Sequence, residues 1–176
     1  MKLPLIIAFC SGFIVAGTAQ ADEMTIIHQT FSGASHETMV DTNGDFAFAA
    51  VMNLESKGGL GRSTSTHMAE YTAYTFSDCP DGVPTAHLVQ HSYVQKFSDL
   101  SMLYGVATAG RICFDPNTSE FTCEEEGIFD GGTGRFEGAT GSYTVNCEIF
   151  LVGETMTALT GTLDGTVSVP HKKADD

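Results

Sequence analysis

The sequence predicts an all-β protein built as an eight-stranded antiparallel barrel. Three observations carry that expectation. Short runs rich in Thr, Val, Phe and Tyr recur along the chain, the residue types that fit a pleated, half-buried surface. Clusters of Gly, Asn, Asp and Pro punctuate them at strand-length intervals. A glycine-dense stretch, 131–141, lies between two strand-like segments instead of opening a helix.

The strands follow in order from their turns. The first is 24–31, and the Asp41-Thr42-Asn43-Gly44-Asp45 turn precedes a second at 46–55. Lys57-Gly58-Gly59-Leu60-Gly61 leads into 63–76, and Asp78-Cys79-Pro80-Asp81-Gly82 into 86–97. Strand 103–114 returns through Asp115-Pro116-Asn117-Thr118 to 119–129. The glycine run connects this to 142–152, and 157–169 closes the set. About eight strands can close on themselves and leave no exposed edge. The glycine run suits a backbone that visits positive φ more than once, because glycine has no Cβ to clash. The tail from His171 to Asp176 is expected to fray.

The last hairpin reads in most detail. Centred at Arg135, it sets Cys123 opposite Cys147, Phe121 opposite Ile149 and Phe129 opposite Gly141. One face then carries Phe121, Cys123, Phe129, Tyr143, Val145, Cys147, Ile149 and Leu151; the other carries Thr122, Glu124, Glu126, Thr144, Asn146 and Glu148. Period-two alternation of this kind decides which face is buried.

Residues 1–21 read as a secretory signal: Lys2, an apolar stretch through Ala16 and an Ala19-Gln20-Ala21 cleavage site. Pro4, Ser11 and Gly12 interrupt that stretch, which is short for a membrane span, and Phe9 occupies the place where a lipobox at Cys10 needs a small residue. The expected mature chain, 22–176, is one barrel domain in a secreted or periplasmic compartment, with no membrane span. The whole chain has a net charge of −14, and the signal removes Lys2 but no acidic residue. Such a surface repels nucleic acid and favours solubility.

Of five cysteines, Cys10 leaves with the signal, and Cys79, Cys113, Cys123 and Cys147 form an even set suited to disulfides. The hairpin register favours Cys123–Cys147, leaving Cys79–Cys113. A Cys113–Cys123 bond across the Asp115–Thr118 turn is the geometric rival. Paired CxxC spacing is absent, so zinc is a poor competitor.

The stretch from Phe129 through Gly141 resembles the glycine-rich signature of the barrel shared by allene oxide cyclases and dirigent proteins, which small exported bacterial proteins also carry. Asp41–Asp45, Cys79-Pro80-Asp81-Gly82 and Ile112-Cys113-Phe114-Asp115-Pro116 are similar to pieces of those bacterial members. The resemblance implies a calycin-like eight-stranded barrel with an apolar lumen, often trimeric. It also implies Cys79 paired with Cys113, since the matching cysteines occur together in such relatives. No catalytic residue of the family maps onto a numbered position here.

Glu125 is the titratable residue that stands out, because it falls on the apolar face between Cys123 and Gly127, where an unpartnered carboxylate is costly. Arg111 is expected opposite Glu125 or Glu124, and Tyr143 lies diagonal to Glu125. An acid, a guanidinium and a phenol at one barrel mouth would polarise a carbonyl or epoxide and move a proton. The plainer alternatives are a structural ion pair at a strand end, or a different register that turns Glu125 outward. His87 and His91 have i, i+4 spacing, but on a strand four residues span roughly 13 Å and cannot share an ion. With His28, His36, His67 and His171 they read as satisfied or exposed. Asp41–Asp45 opens like a calcium loop but has Phe46 at the sixth position and Met52 at the twelfth, so it reads as a turn. Glu124, Glu125, Glu126 and Glu148 read as a solvated acidic patch. Without a GxSxG elbow or P-loop, hydrolase and nucleotide chemistry have no support, and no cofactor is expected. The leading expectation is a binder of a small apolar molecule, lined by Phe46, Phe48, Phe121, Phe129 and Tyr143. A cofactor-independent cyclase or isomerase is second, and a filled barrel acting as a structural or interaction protein is third.

Overall fold

The computed structural model describes residues 23–39, 47–76 and 78–170. The predicted signal, the Asp41–Asp45 turn, Phe46 and the tail from His171 lie outside the described residues. Nine strands form in chain order: β1 (Glu23–Met39), β2 (Phe48–Gly58), β3 (Ser63–Tyr71), β4 (Thr75–Phe76), β5 (Pro84–Phe97), β6 (Met102–Asp115), β7 (Glu120–Thr133), β8 (Thr140–Leu151) and β9 (Met156–Val169). Every pairing is antiparallel, in the order β3-β2-β1-β9-β8-β7-β6-β5. A further ladder between β3 and β5 closes the cylinder. The two-residue β4 continues the β3 edge along β5, so eight strands make the barrel. Among the described residues, no helix is long and apolar enough to cross a membrane.

The hairpin of β7 and β8 has the register expected from a centre at Arg135: Cys123 faces Cys147, Phe121 faces Ile149 and Phe129 faces Gly141. Buried and exposed residues alternate without a break from Thr122 to Asp130. Leu151 is the one member of the apolar row that escapes burial, since it ends β8 at the rim. The first strand runs further than predicted, through Ser32–Met39, a segment whose small and polar residues look like a turn. β2 and β9 pair with it on both sides and hold it extended.

One end of the barrel is packed shut. Phe136, in the short 3-10 turn Gly134–Phe136, folds under the barrel against Phe97, with ring centroids 4.8 Å apart. The turn requires Gly134 at φ 62° and Gly138 at φ 72°, where a side chain would be strained. The Arg135 guanidinium lies 4.6 Å over both rings, and its Nη2 donates to the Leu60 carbonyl at 2.8 Å. Ile27, Leu60, Leu103, Phe129 and Val167 complete this plug.

Disulfides brace the other end. Cys79 is joined to Cys113, and Cys123 to Cys147 across the β7–β8 ladder.

Candidate functional site

Above the plug, the lumen keeps a cavity. The space open to water centres is about 70 Å³, with an envelope of about 830 Å³ counted out to its open rim. One wall is apolar: Phe31, Phe48, Met52, Leu54, Ile149 and Leu159 come from β1, β2, β8 and β9. The opposite wall, from β3, β5 and β7, carries Ser65, His67, Tyr71, His91, Tyr93, Gln95 and Glu125.

A bulge creates that polar wall. Glu70 pairs with Gln90 but Tyr71 pairs with Leu88, so Val89 is an extra residue on β5. Ala86 and Leu88 face inward before it, and His91, Tyr93, Gln95 and Phe97 face inward after it. The phase of the strand has flipped. His87 is consequently left outside, 3.3 Å from Asp78, while His91 is buried within. These two histidines therefore occupy opposite faces of β5. Among the described residues no group of His, Cys, Asp or Glu converges to hold a metal ion.

Glu125 is buried as its place in the alternation requires, and each of its oxygens is hydrogen-bonded. Tyr71 Oη donates to Oε1 at 2.7 Å, and His91 Nδ1 lies 2.8 Å from Oε2. From His91 the chain continues, Nε2 to His67 Nδ1 at 3.0 Å and His67 Nε2 to Ser65 Oγ at 2.7 Å. Burial first, and then the neighbouring His91, hold His67 down to about 3, so its ring is neutral. One arrangement satisfies every bond with both rings neutral: Ser65 donates to His67, His67 to His91, and His91 to the Glu125 carboxylate. Gly110 lies opposite Glu125, and a Cβ there would come 2.8 Å from Glu125 Cγ, so the missing side chain makes room for the carboxylate.

Two further phenols lie deeper. Tyr93 rests on Gly105 and Tyr143 on Gly127, each across its ladder; a Cβ at either glycine would meet the ring at 2.3 Å. Their ring centroids are 5.7 Å apart. Burial raises both phenols above their usual range; Tyr143 and then Glu125 add to it at Tyr93, and Glu125 adds to it at Tyr143. The two hydroxyls face each other closely enough that their contact raises the Tyr93 phenol and lowers that of Tyr143, yet neither makes a hydrogen bond of good geometry.

Arg111 is not part of this constellation. The β6–β7 ladder pairs it with Glu124, and both point outward: Nη2 donates to Glu124 Oε2 at 2.6 Å and Nη1 to the Asp78 carbonyl at 2.7 Å. Thr108 is the extra residue of a second bulge, where Ala107 faces Gly127 and Ala109 faces Glu126, and it sets that phase. Phe48 lines the cavity, as does Tyr143. Phe129 is packed in the plug below, and Phe121 sits at the rim against Phe114 at 4.5 Å, so neither lines the lumen. Tyr71, His91, His67, Ser65 and Tyr93 went unrecognised in the sequence. On β3 the inward Ser63, Ser65 and His67 alternate with Thr64, Thr66 and Met68, and polarity there does not tell the two faces apart.

No protein-family model matches the chain, and no curated protein matches it in sequence. Among solved structures it is similar to two pterocarpan synthase dirigent proteins. The first is 17% identical with a TM-score of 0.45, the match covering 87% of this chain and 99% of that one. The second is 14% identical, also with a TM-score of 0.45, covering 91% and 92%. The barrel itself rests on the chain's own closed ladder of strands.

Proposed function

We propose that this protein binds a small, predominantly apolar molecule inside its barrel. The observation that carries the reading is the rim-open cavity, apolar on one wall, above a solid plug. Its 70 Å³ of water-centre space admits only a compact ligand. Binding of cyclohexene, followed by chemical-shift changes in cavity methyl groups, tests it. Ala50, which lines the cavity, is the control position. Ala50→Phe is expected to weaken binding by about tenfold or more while the fold persists; unchanged binding by that variant would place the ligand elsewhere.

Export to an oxidising compartment is part of the same proposal, supported by the N-terminal signal-like segment and by two disulfides. Association as a homotrimer is a further part. A ladder of neighbours on the outer surface, Val51, Met68, Ser92, Val106 and Ile128, forms an apolar row with Met68 65% exposed. Native mass spectrometry reads the subunit number and any retained ligand together; a monomer at micromolar concentration would remove the trimer.

A further inference from the structure

We propose that the polar half of the lumen is a proton-transfer site for a small neutral ketone. In it, Tyr93 and Tyr143 donate to the ketone oxygen, and Glu125 takes a proton from a neighbouring carbon. The inference rests on the lumen-binding reading above and adds a chemistry to it.

Three observations converge. The first concerns orphaned donors. Four buried polar atoms on cavity-lining residues lack a partner: Gln29 Nε2, Ser35 Oγ, Tyr93 Oη and Tyr143 Oη. Each carries an X–H bond. Gln29 cannot satisfy its Nε2 by turning its own amide over, because Gln95 Nε2 already donates to Gln29 Oε1 at 3.1 Å; only a joint turn of both amides keeps that contact. An unmade buried donor costs about 1–3 kcal/mol. A ligand oxygen reaching the two phenols would accept from donors that make no well-formed hydrogen bond of their own.

The second concerns charge. His67 is neutral, the carboxylates lining the cavity are Glu125, hydrogen-bonded to His91, and Glu37 toward the rim, and no Lys or Arg lines it. An anionic ligand would meet uncompensated repulsion in a low-dielectric space, and a neutral oxygen acceptor would not. That disfavours carboxylic acids and phosphates and favours neutral oxygen acceptors, among which a ketone also offers a carbon acid to the carboxylate.

The third concerns the base. Glu125 is held by Tyr71 on one oxygen and His91 on the other, with Gly110 clearing the space beside it. Each carboxylate oxygen keeps a second lone pair. Behind His91, the bonds through His67 to Ser65 fix the ring's orientation, so these residues position Glu125 and need not touch the ligand.

The step balances without an oxidant or co-reactant. In a β,γ-unsaturated ketone the C–H bond between the carbonyl and the double bond breaks, and the proton bonds to a Glu125 oxygen. The electron pair delocalises onto the carbonyl oxygen, giving a dienolate whose negative oxygen the two phenols hold. Glu125 then returns the proton to the γ carbon, and the product is the conjugated ketone. A carboxylate with phenol donors in an apolar pocket suffices for such a shift.

The test uses 3-cyclohexen-1-one as substrate in deuterated water, with 2-cyclohexen-1-one and cyclohexene as binding probes. The wild-type chain is expected to form 2-cyclohexen-1-one faster than buffer, with the substrate's own hydrogen carried to the γ carbon in excess of solvent deuterium. It is also expected to bind the ketone more tightly than cyclohexene. Glu125→Gln is expected to lose about 100-fold or more of the rate while keeping ketone affinity within about threefold. The Tyr93→Phe, Tyr143→Phe double variant is expected to lose both the rate and the ketone's advantage over cyclohexene. Because it removes only hydroxyls that make no well-formed hydrogen bond, it decides the matter if Glu125→Gln does not fold. Cyclohexene binding with no ketone preference, no rate above buffer, or a full rate in either variant overturns the proton-transfer site and leaves the lumen binder standing. Failure of cyclohexene and ketone alike to bind overturns both.

Discussion

Tyr143 and Gly127 show how a single position is decided by its neighbour across the ladder. The ring lies flat on the glycine because nothing projects there, and a Cβ at Gly127 would also come 2.6 Å from the Val106 carbonyl. Gly127→Ala is therefore expected to destabilise the protein by about 1–3 kcal/mol through overpacking, read as a lower urea midpoint. A null result would mean that the ring can lift away. His67 gives a pH dependence with a definite sign. Its folded value lies at about 3, below the ordinary 6.5, so in that window the unfolded chain binds a proton that the folded one refuses. The stability it confers is complete above pH 6.5 and falls as pH drops toward 3. The charged and titratable groups facing that region are His91 and Glu125, with the Tyr93 and Tyr71 phenols. Between pH 7 and pH 4.5 the loss is expected to be roughly 2–3 kcal/mol, seen as a falling melting temperature. His67→Gln should flatten the slope, and an equally steep curve in that variant would assign the pH dependence to other groups.

Strands and turns carry the next level. The turn between β7 and β8 is both a connection and a stopper: it reverses the chain and inserts Phe136 beneath Phe97, Leu103 and Val167. Phe136→Ala should cost about 3–5 kcal/mol, measured by chemical denaturation. A change below about 1 kcal/mol would show that the turn contributes little to the plug. This hairpin was legible beforehand because its alternation of Phe, Cys, Tyr and Ile against Thr and Glu is regular, and glycine marked its centre. Strand β5 was not legible in the same way. Its position is plain, expected at 86–97 and found at Pro84–Phe97, but the extra residue at Val89 reverses its phase, and a bulge has no reliable signature in one strand read alone. That reversal hid the carboxylate–histidine contact, just as the second bulge, at Thr108, sent Arg111 outward to Glu124.

For the whole molecule, stability and site share a frame. The Cys123–Cys147 bond spans 24 residues and lies at the cavity, so replacing both cysteines with alanine removes a constraint on the unfolded chain. The expected loss is about 3 kcal/mol, checked by equilibrium unfolding of the double variant. An unchanged midpoint would mean that the paired strands hold without it. Local chemistry decided the strand count, the turns, the β7–β8 register and the burial of Glu125, because period-two alternation and glycine tolerance act over a few residues. Closure of β3 onto β5 decided what surrounds Glu125. The partners of a lumen-facing side chain come from strands remote in the chain, and two single-residue bulges set which side chains arrive there.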